Sequence, residues 1–472
     1  MRNLTLLTDL YQLTMLNGYF EKNVHEDLVV FDMFFRKNAC DGGYTIVCGI
    51  EQFVEYINNI KFTDDDINYL KSLNMFSDKF LDFLKNFKFT GDIFAVEEGT
   101  LMFPNEPIIT VKAPLYQAQL IETTLLNIIN FESLIATKAS RVCYSAGNDP
   151  VFEFGLRRAQ GPDAGLLGAR ASIIGGCLGT SNLLAGKEFN VPVIGTQAHS
   201  WIQKFDTELE AFETYAEIYP DKCLFLVDTY NVLESGIKNA ITVFKKLREK
   251  GHKPLGIRLD SGDLNYLSNK CYEELKKEGF DDLSITASND LDENTISSLK
   301  AQGCSINSWG VGTKLITSAE NPSLGGVYKL CASGDDFSPK IKISENPEKI
   351  SNPGYKKVVR IYDNKNKAQA DLIMMHDEDI DLSKPLTIFD PVYTWKKKTF
   401  NDYSIKELQK PLFINGECVH KSKSVLEIKE FVQDELNTFW DEYKRLLNPQ
   451  TYKVDLSKKL WYLKDKMINE NK

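Results

Sequence analysis

Eight short apolar runs punctuate residues 151–333: VFEF, ASIIGG, VPVIG, LFLV, PLGIRL, LSITA, INSWGVG and VYKL, spaced by helical or glycine-rich segments. Runs that are apolar at nearly every position, instead of at alternate ones, suit strands covered on both faces. Strands that alternate with helical segments build parallel βα units. Seven or eight such units in this length fit a closed barrel better than two doubly wound sheets. Polar residues collect where the runs end: Arg157 and Arg158, Thr180 to Asn182, Thr196 and His199, Asp228, Arg258 with Asp260 and Asp263, Ser288 to Asp290, and Gly310 to Thr313. In a barrel those ends share one rim, which is where active sites sit.

The flanking segments read differently. Asp9 followed by Gln12 resembles a capping box opening a helix over about residues 10–20, with Leu10, Leu13 and Phe20 as its buried stripe and Tyr11 in its first turn. Residues 92–113 read as antiparallel strands joined by Glu-Gly and Pro-Asn turns, and 356–375 as a hairpin with a DNKN turn that pairs with this N-terminal β region. After residue 401 the chain reads as charged helix, with Leu426, Phe431, Leu436, Phe439, Tyr443 and Leu447 near helical spacing and a break at Asn448-Pro449. The expected class is α/β, with an irregular (β/α) barrel-like central domain over 131–345. An α+β N-terminal domain over 1–130 is completed discontinuously by 346–400, and a helical C-terminal extension covers 401–472.

Composition excludes several classes of function. With 472 residues, 43% of them hydrophobic, the chain can bury a sizeable core. A formal net charge of −10 and the lack of any long Lys/Arg run leave no footprint for nucleic acid or an anionic membrane surface. An anionic ligand must therefore be met by a local cluster of cations and backbone N–H groups. The opening residues carry Asp9 and other polar groups through their apolar positions, which fits neither a signal peptide nor a membrane span, so a cytoplasmic location is expected. Nine scattered cysteines without C-x-x-C spacing imply reduced, mostly buried thiols, and Cys418 with His420 lacks a second pair of metal ligands nearby.

Each motif that could carry chemistry also has a plainer reading. RLDSGD places Arg258, Asp260, Ser261, Gly262 and Asp263 at a strand end, where carboxylates suit ribose hydroxyls or a hydrated Mg²⁺; the same residues would make a turn into an Asp-capped helix. Gly310, Gly312 and Thr313 offer N–H groups and a hydroxyl to a phosphate, but Leu315 stands where a dinucleotide fingerprint has its third glycine. GTSNLLAGKE lacks P-loop spacing and puts Glu188 where Ser or Thr belongs. Phe154 beside Arg157 and Arg158 could hold a flat anionic ring, or be core beside a solvated loop. His199 could be a phosphoryl nucleophile whose tautomer Asp228 fixes, or a histidine bonded to backbone.

Together the motifs resemble those of the nicotinate phosphoribosyltransferases. The resemblance rests on TDLYQLTM (8–15), FGLRRAQGPDAG (154–165), GTSN (179–182), GTQAHSW (195–201), VDTYN (227–231), RLDSGD (258–263), ASNDLDE (287–293), and GVGTKL followed by LGGVYKL up to residue 330. It implies condensation of nicotinate with 5-phosphoribosyl 1-pyrophosphate, ATP as co-substrate, Mg²⁺, and His199 as a phosphohistidine. By the same resemblance Tyr11, Phe154, Arg157, Thr196 and Arg258 match nicotinate contacts. Asp260, Ser261, Gly262, Ser288, Asn289, Gly310, Gly312 and Thr313 match the phosphoribosyl site, Asp228 and Asp260 join His199 as catalytic residues, and Asp263 matches a position near magnesium. A head-to-tail homodimer with shared active sites is also implied. The nicotinamide-using relative is the nearest alternative. Arg258, and the uncharged Thr180, Ser181 and Asn182, favour the acid. A barrel that binds a phosphorylated metabolite without turnover is the alternative from another class. The purine-type phosphoribosyltransferases are disfavoured, because VDTYN carries one acidic residue where their loop needs two.

Overall fold

The structure, a computed structural model, describes residues 3–470. The described residues form two compact units, one of residues 135–322 with 424–429, the other of residues 3–134, 323–423 and 430–470.

The first unit is built on a parallel sheet of six strands, numbered here in chain order: β1 Val151–Glu153, β2 Gly179–Thr180, β3 Leu224–Leu226, β4 Gly256–Leu259, β5 Ser284–Ala287 and β6 Ser308–Val311. Their spatial order is β2-β1-β6-β5-β4-β3, every ladder is parallel, and no ladder joins β2 to β3 among the described residues. The expected closed barrel is therefore corrected to an open α/β sheet of six strands. Three of the eight apolar runs do not become strands of this sheet. ASIIGG is buried because it ends the helix Pro162–Ile174 and continues its turn; VPVIG makes only an isolated bridge, Thr180 to Val193; and VYKL lies in a strand of the other unit. Burial makes helices and strands equally apolar over so short a stretch, so periodicity cannot separate them.

Every strand runs into a helix on the same side, at Pro162, Leu183, Ile237, Leu264, Glu293 and Thr313. Local chemistry sets several of these starts. Asn182 accepts from the N–H groups of Leu184 and Ala185, Asp263 from Tyr266 N at 2.8 Å and Asp292 from Thr295 N at 2.7 Å. Beneath them the core is aromatic and tight, with Phe212, Phe225 and Phe244 stacked face to face at ring spacings of 4.6 and 5.2 Å.

The second unit centres on a seven-stranded antiparallel sheet, in which Leu28–Phe35 pairs with Gly326–Ser333 on one side and Ile109–Pro114 on the other. The expected antiparallel strands of 92–113 form, Asp92–Val96 pairing with Ile109–Pro114. The hairpin Lys356–Tyr362 and Ala368–Met375 also forms, but it joins a separate four-stranded sheet with Ser404–Glu407 and Val454–Leu456. What extends the N-terminal sheet instead is Gln409–Ile414, within the stretch expected to be helical. Helix resumes only at Val425–Thr438, where Val425, Ile428 and Val432 are buried while Leu426, like Leu447 beyond the helix, is exposed. The N-terminal helix spans Leu10–Glu21 without a capping box: Asp9 accepts from Thr123 Oγ1 at 2.9 Å, and Gln12 donates to Glu122 at 2.9 Å. Leu10 is half exposed, so the buried stripe falls on Gln12, Leu13 and Leu16. None of the nine cysteines is in a disulfide, and no helix among the described residues is long and apolar enough to cross a membrane.

Candidate active site

A cavity of about 460 Å³ opens at the carboxyl ends of β1, β4, β5 and β6, closed on one side by the loop 195–198. This is the edge of a parallel sheet where ligands bind in open α/β folds, because helix N-termini and loop N–H groups all face it. Phe154, Arg157, Thr196, Arg258 and Asp260 line it, and so do Ser288, Asn289, Gly310, Gly312 and Thr313. These were read from the polar ends of the apolar runs.

Arg258 stands at the third position of β4, and its guanidinium reaches the 195–198 loop. Nη1 donates to Thr196 Oγ1 and to the carbonyl of Gln197 at 3.4 Å, and Nη2 lies 3.6 Å from Asp260 Oδ1. Nε is buried with no hydrogen-bond partner among the described residues. Burial pulls the Arg258 pKa below the usual guanidinium value, opposed by the charges of Asp260 and Asp228. Desolvation outweighs those two carboxylates, so the site holds a cation largely stripped of water.

Asp260 is the junction of the polar groups. Its carboxylate accepts from Ser288 Oγ, and Oδ2 lies 3.7 Å from His199 Nε2. Asp228 sits behind it, with Oδ2 accepting from Asp260 N at 2.9 Å and Ser261 Oγ at 2.6 Å, while Oδ1 is buried without a partner. That arrangement corrects one expectation: Asp228 holds the 260–261 turn, and it is Thr229 Oγ1, at 3.2 Å, that faces His199 Nδ1. His199 opens the short helix His199–Lys204, which is anchored by the fully buried Ile202 and by Trp201 Nε1 donating to Ala211 O. An imidazole with a hydroxyl on one nitrogen and a carboxylate near the other has its orientation set from both sides.

Backbone shapes the rest of the floor. Gly310 is required where it stands, since a Cβ there would meet the Phe154 ring at 2.7 Å. Asn289 and Asp290 have φ of +89° and +45°, a left-handed turn beside Ser288 of the kind whose N–H groups can converge on an anion. Gly262 and Asp263 continue away from the cavity lining into the helix Leu264–Lys277, and Asp263 serves as its cap. The Asp-capped reading of RLDSGD thus accounts for Asp263, while Asp260 keeps the position at the cavity. Tyr11 belongs to the other unit, half exposed in the first turn of its helix.

The polar trio after β2 is mostly engaged in structure. Thr180 is buried and donates to Glu153 Oε2 at 2.6 Å, Asn182 caps the next helix, and Ser181 alone lines the cavity. Glu153, which no sequence signal marked, also accepts from Gly155 N, and burial pushes its carboxyl up from the usual range. It ties the β1 turn, which carries Phe154, to β2. Gln197 was also missed: it lines the cavity, only 6% exposed, with Oε1 3.5 Å from Leu226 N and Nε2 buried without a partner. Its position between Thr196 and His199 was the available signal.

The donor set suits a divalent cation that is shared with a phosphorylated substrate. Magnesium is commonly held by one or two carboxylates together with substrate phosphates, and the lining carries two, Asp290 and Asp260, the latter still 30% exposed.

Comparison with known proteins follows the same outline. The chain matches the family models described as the nicotinate phosphoribosyltransferase (NAPRTase) N-terminal domain over residues 6–130, the nicotinate phosphoribosyltransferase (NAPRTase) family over 150–335, and the nicotinate phosphoribosyltransferase C-terminal domain over 355–464. It is 47% identical to the nicotinate phosphoribosyltransferase of Bacillus subtilis (strain 168), covering 100% of this chain and 96% of that one. To the enzyme of that name from Caenorhabditis elegans it is 38% identical, covering 97% and 92%. The crystal structure of human nicotinic acid phosphoribosyltransferase superposes with a TM-score of 0.84 at 28% identity, covering 98% of this chain and 100% of that one.

Proposed function

The chain belongs to the nicotinate phosphoribosyltransferase family, and from that premise we propose that it condenses nicotinate with 5-phosphoribosyl 1-pyrophosphate. The products are nicotinate mononucleotide and pyrophosphate, a step of NAD salvage, with ATP hydrolysis coupled through phosphorylation of His199. The observation that carries this reading is Arg258: a guanidinium largely withdrawn from water, one N–H unsatisfied, lining the same cavity as the Phe154 ring. A flat ring bearing a carboxylate answers both features, by stacking and by charge-assisted hydrogen bonds. Nicotinamide, which carries no carboxylate, would add no ion pair to the one Arg258 makes with Asp260.

The chemistry asks little of the protein in proton transfer. The attacking pyridine nitrogen uses a lone pair and has no proton to lose, so no general base is needed. Rate enhancement comes from alignment and from stabilising the oxocarbenium-like ribosyl and the departing pyrophosphate. Ser288, the Asn289–Asp290 turn, Gly312 and Thr313 would supply donors for the phosphates, and Asp260 would hold Mg²⁺ and the ribose hydroxyls. Bound Mg²⁺ would neutralise the pyrophosphate oxygens as negative charge develops on them. For the ATP half-reaction, the reactive tautomer is the one whose Nδ1–H points at Thr229 Oγ1, so that the Nε2 lone pair attacks the γ-phosphorus, with ADP departing; water later hydrolyses the phosphohistidine. Phosphorylation beside Asp260 changes the charge at the site, so the two forms bind substrates and products differently, at about 1.4 kcal/mol per tenfold difference. From the resemblance we add a homodimer in which Tyr11 of the partner subunit covers the pyridine ring opposite Phe154. We also read the open sheet as an incomplete barrel.

The test is nucleotide formation from nicotinate and, separately, from nicotinamide, with phosphoribosyl pyrophosphate and Mg²⁺, with and without ATP. Nicotinate-dependent product stimulated by ATP is expected, and in His199→Ala slower transfer that ATP no longer stimulates. Preference for nicotinamide would give the site to the amide. Binding of phosphorylated ligands without turnover would make the protein a sensor.

A further inference from the structure

A second cavity, of about 520 Å³, lies wholly within the other unit, bounded by the strand Leu28–Phe35, the four-stranded sheet and the helix Lys458–Glu470. Its size is that of a small-molecule site. Phe34, Ile350, Ile373, Leu456, Trp461 and Ile468 give it apolar walls, and two lysines, Lys356 and Lys464, are part of its lining.

The two lysines differ in what answers their charge. Lys356 is fully buried, and its ammonium bonds Asp32 Oδ2 at 2.8 Å and Gly354 O at 2.5 Å. Asp32 in turn accepts from Thr110 Oγ1 at 2.7 Å through its other oxygen, so the charge of Lys356 is answered within the fold. Lys464 donates to the neutral Asn352 Oδ1 at 2.8 Å and has no carboxylate within 4.0 Å among the described residues. Burial and the nearby charge of Lys356 bring its pKa down to about 8. Glu348 and Asp465, the other acids of the lining, are exposed. Lys464 is part-buried in the cavity wall, and beyond its bond to Asn352 its ammonium retains two N–H donors for a ligand.

We infer that this cavity binds a small organic monocarboxylate with a flat apolar body, its acid group on Lys464 and its body against Trp461 and Phe34. A single negative charge balances the one uncompensated ammonium. A phosphate ester is a poorer match: its three acceptor oxygens need more donors, and Pro104, Pro107, Pro347 and Pro391 in the lining offer no N–H. The inference rests on Lys464 and its surroundings and is independent of the catalytic reading.

The test uses the full chain labelled with 5-fluorotryptophan. The five tryptophans give separate fluorine resonances, of which Trp461 is assigned with Trp461→Phe. Benzoate, the neutral benzamide and inorganic phosphate are titrated in turn. Benzoate should shift the Trp461 resonance to saturation, benzamide and phosphate should leave it in place, Lys464→Met should weaken benzoate about tenfold or more, and Lys464→Arg should retain it. A Trp461 resonance that benzoate never moves overturns the inference. So does an equal shift with benzamide, or a shift with phosphate in place of benzoate. The contrast between benzoate and benzamide on the unmodified protein holds even if Lys464→Met fails to fold.

Discussion

Arg360 and Arg258 are both strand residues withdrawn from water, and their surroundings are opposite in kind. Arg360, fully buried, donates from Nε and Nη2 to Asp371, from Nη1 to Glu435 at 3.0 Å and from Nη2 to the carbonyl of Leu101 at 2.6 Å, and its guanidinium lies near the rings of Phe103, Phe439 and Tyr452. Burial works against its charge, but Asp371, Tyr452 and Glu435 overcome it and hold its pKa well above the usual value. Arg258 keeps an unbonded Nε, its pKa is pulled down, and Gln197 Nε2 and Asp228 Oδ1 in the same site also lack partners. A buried polar group left unbonded costs about 1–3 kcal/mol. Arg258 and Gln197 bring such groups to the lining of one cavity, where a ligand can complete the network, whereas every nitrogen of the Arg360 guanidinium is bonded within the fold.

The largest effect is expected at Arg360. Arg360→Met strands Asp371 without its cation, leaves Glu435 only Lys406 at 3.5 Å, and should cost about 3–5 kcal/mol of stability, read by urea unfolding. The nicotinate KM of the folded protein should be unchanged, and a raised KM would break the contrast. Arg258→Met should do the reverse: kcat/KM for nicotinate falls by about 2–4 kcal/mol, roughly 30- to 1000-fold, while the melting temperature holds or rises. A melting temperature lowered as far as that of Arg360→Met would make Arg258 a structural residue.

Gly310→Ala tests the aromatic half of the site. The added Cβ must push the Phe154 ring aside, so about 1–3 kcal/mol of overpacking should appear mainly as a higher nicotinate KM in steady-state kinetics. An unchanged KM would remove Phe154 from the ring contact. The smallest effect concerns pH. Burial and the Asp371 charge raise the Glu106 carboxyl well above the usual range, so the folded state keeps a proton that the unfolded chain releases. That contribution is complete below the ordinary glutamate pKa and is lost as pH rises to the raised one, with a slope of at most about 1.4 kcal/mol per pH unit. Glu106→Gln should flatten this part of the stability profile, and an unaltered slope would assign it elsewhere.

The parallel strands were legible because a strand covered on both faces is apolar throughout, as in the LFLV and PLGIRL runs that form β3 and β4. The same rule misplaced VYKL, whose apolar character comes from pairing with Leu28–Phe35, and ASIIGG, which is buried as helix. Most of the site was legible for a related reason. Polar residues at the ends of apolar runs come together wherever those strands are parallel, so Thr196, Arg258, Asp260 and Ser288 could be assigned to one edge without knowing the strand order. What each polar group does could not be read this way. Thr180 and Asn182 have the same local appearance as Ser181, yet one is taken by Glu153 and the other by a helix cap.

The chain's own order of residues thus determined the inventory: which stretches are apolar, where helices start at Asn182, Asp263 and Asp292, and which chemically able side chains stand at strand ends. These depend on interactions over a few residues. Tertiary structure alone decided that 326–333 and 409–414 join one antiparallel sheet, that no ladder links β2 to β3 among the described residues, and that Asp371 answers Arg360 while no described carboxylate answers Lys464. Those outcomes depend on which distant groups become neighbours once water is excluded. Whether a charge is then balanced or left wanting is a property of that neighbourhood, and no local pattern encodes it.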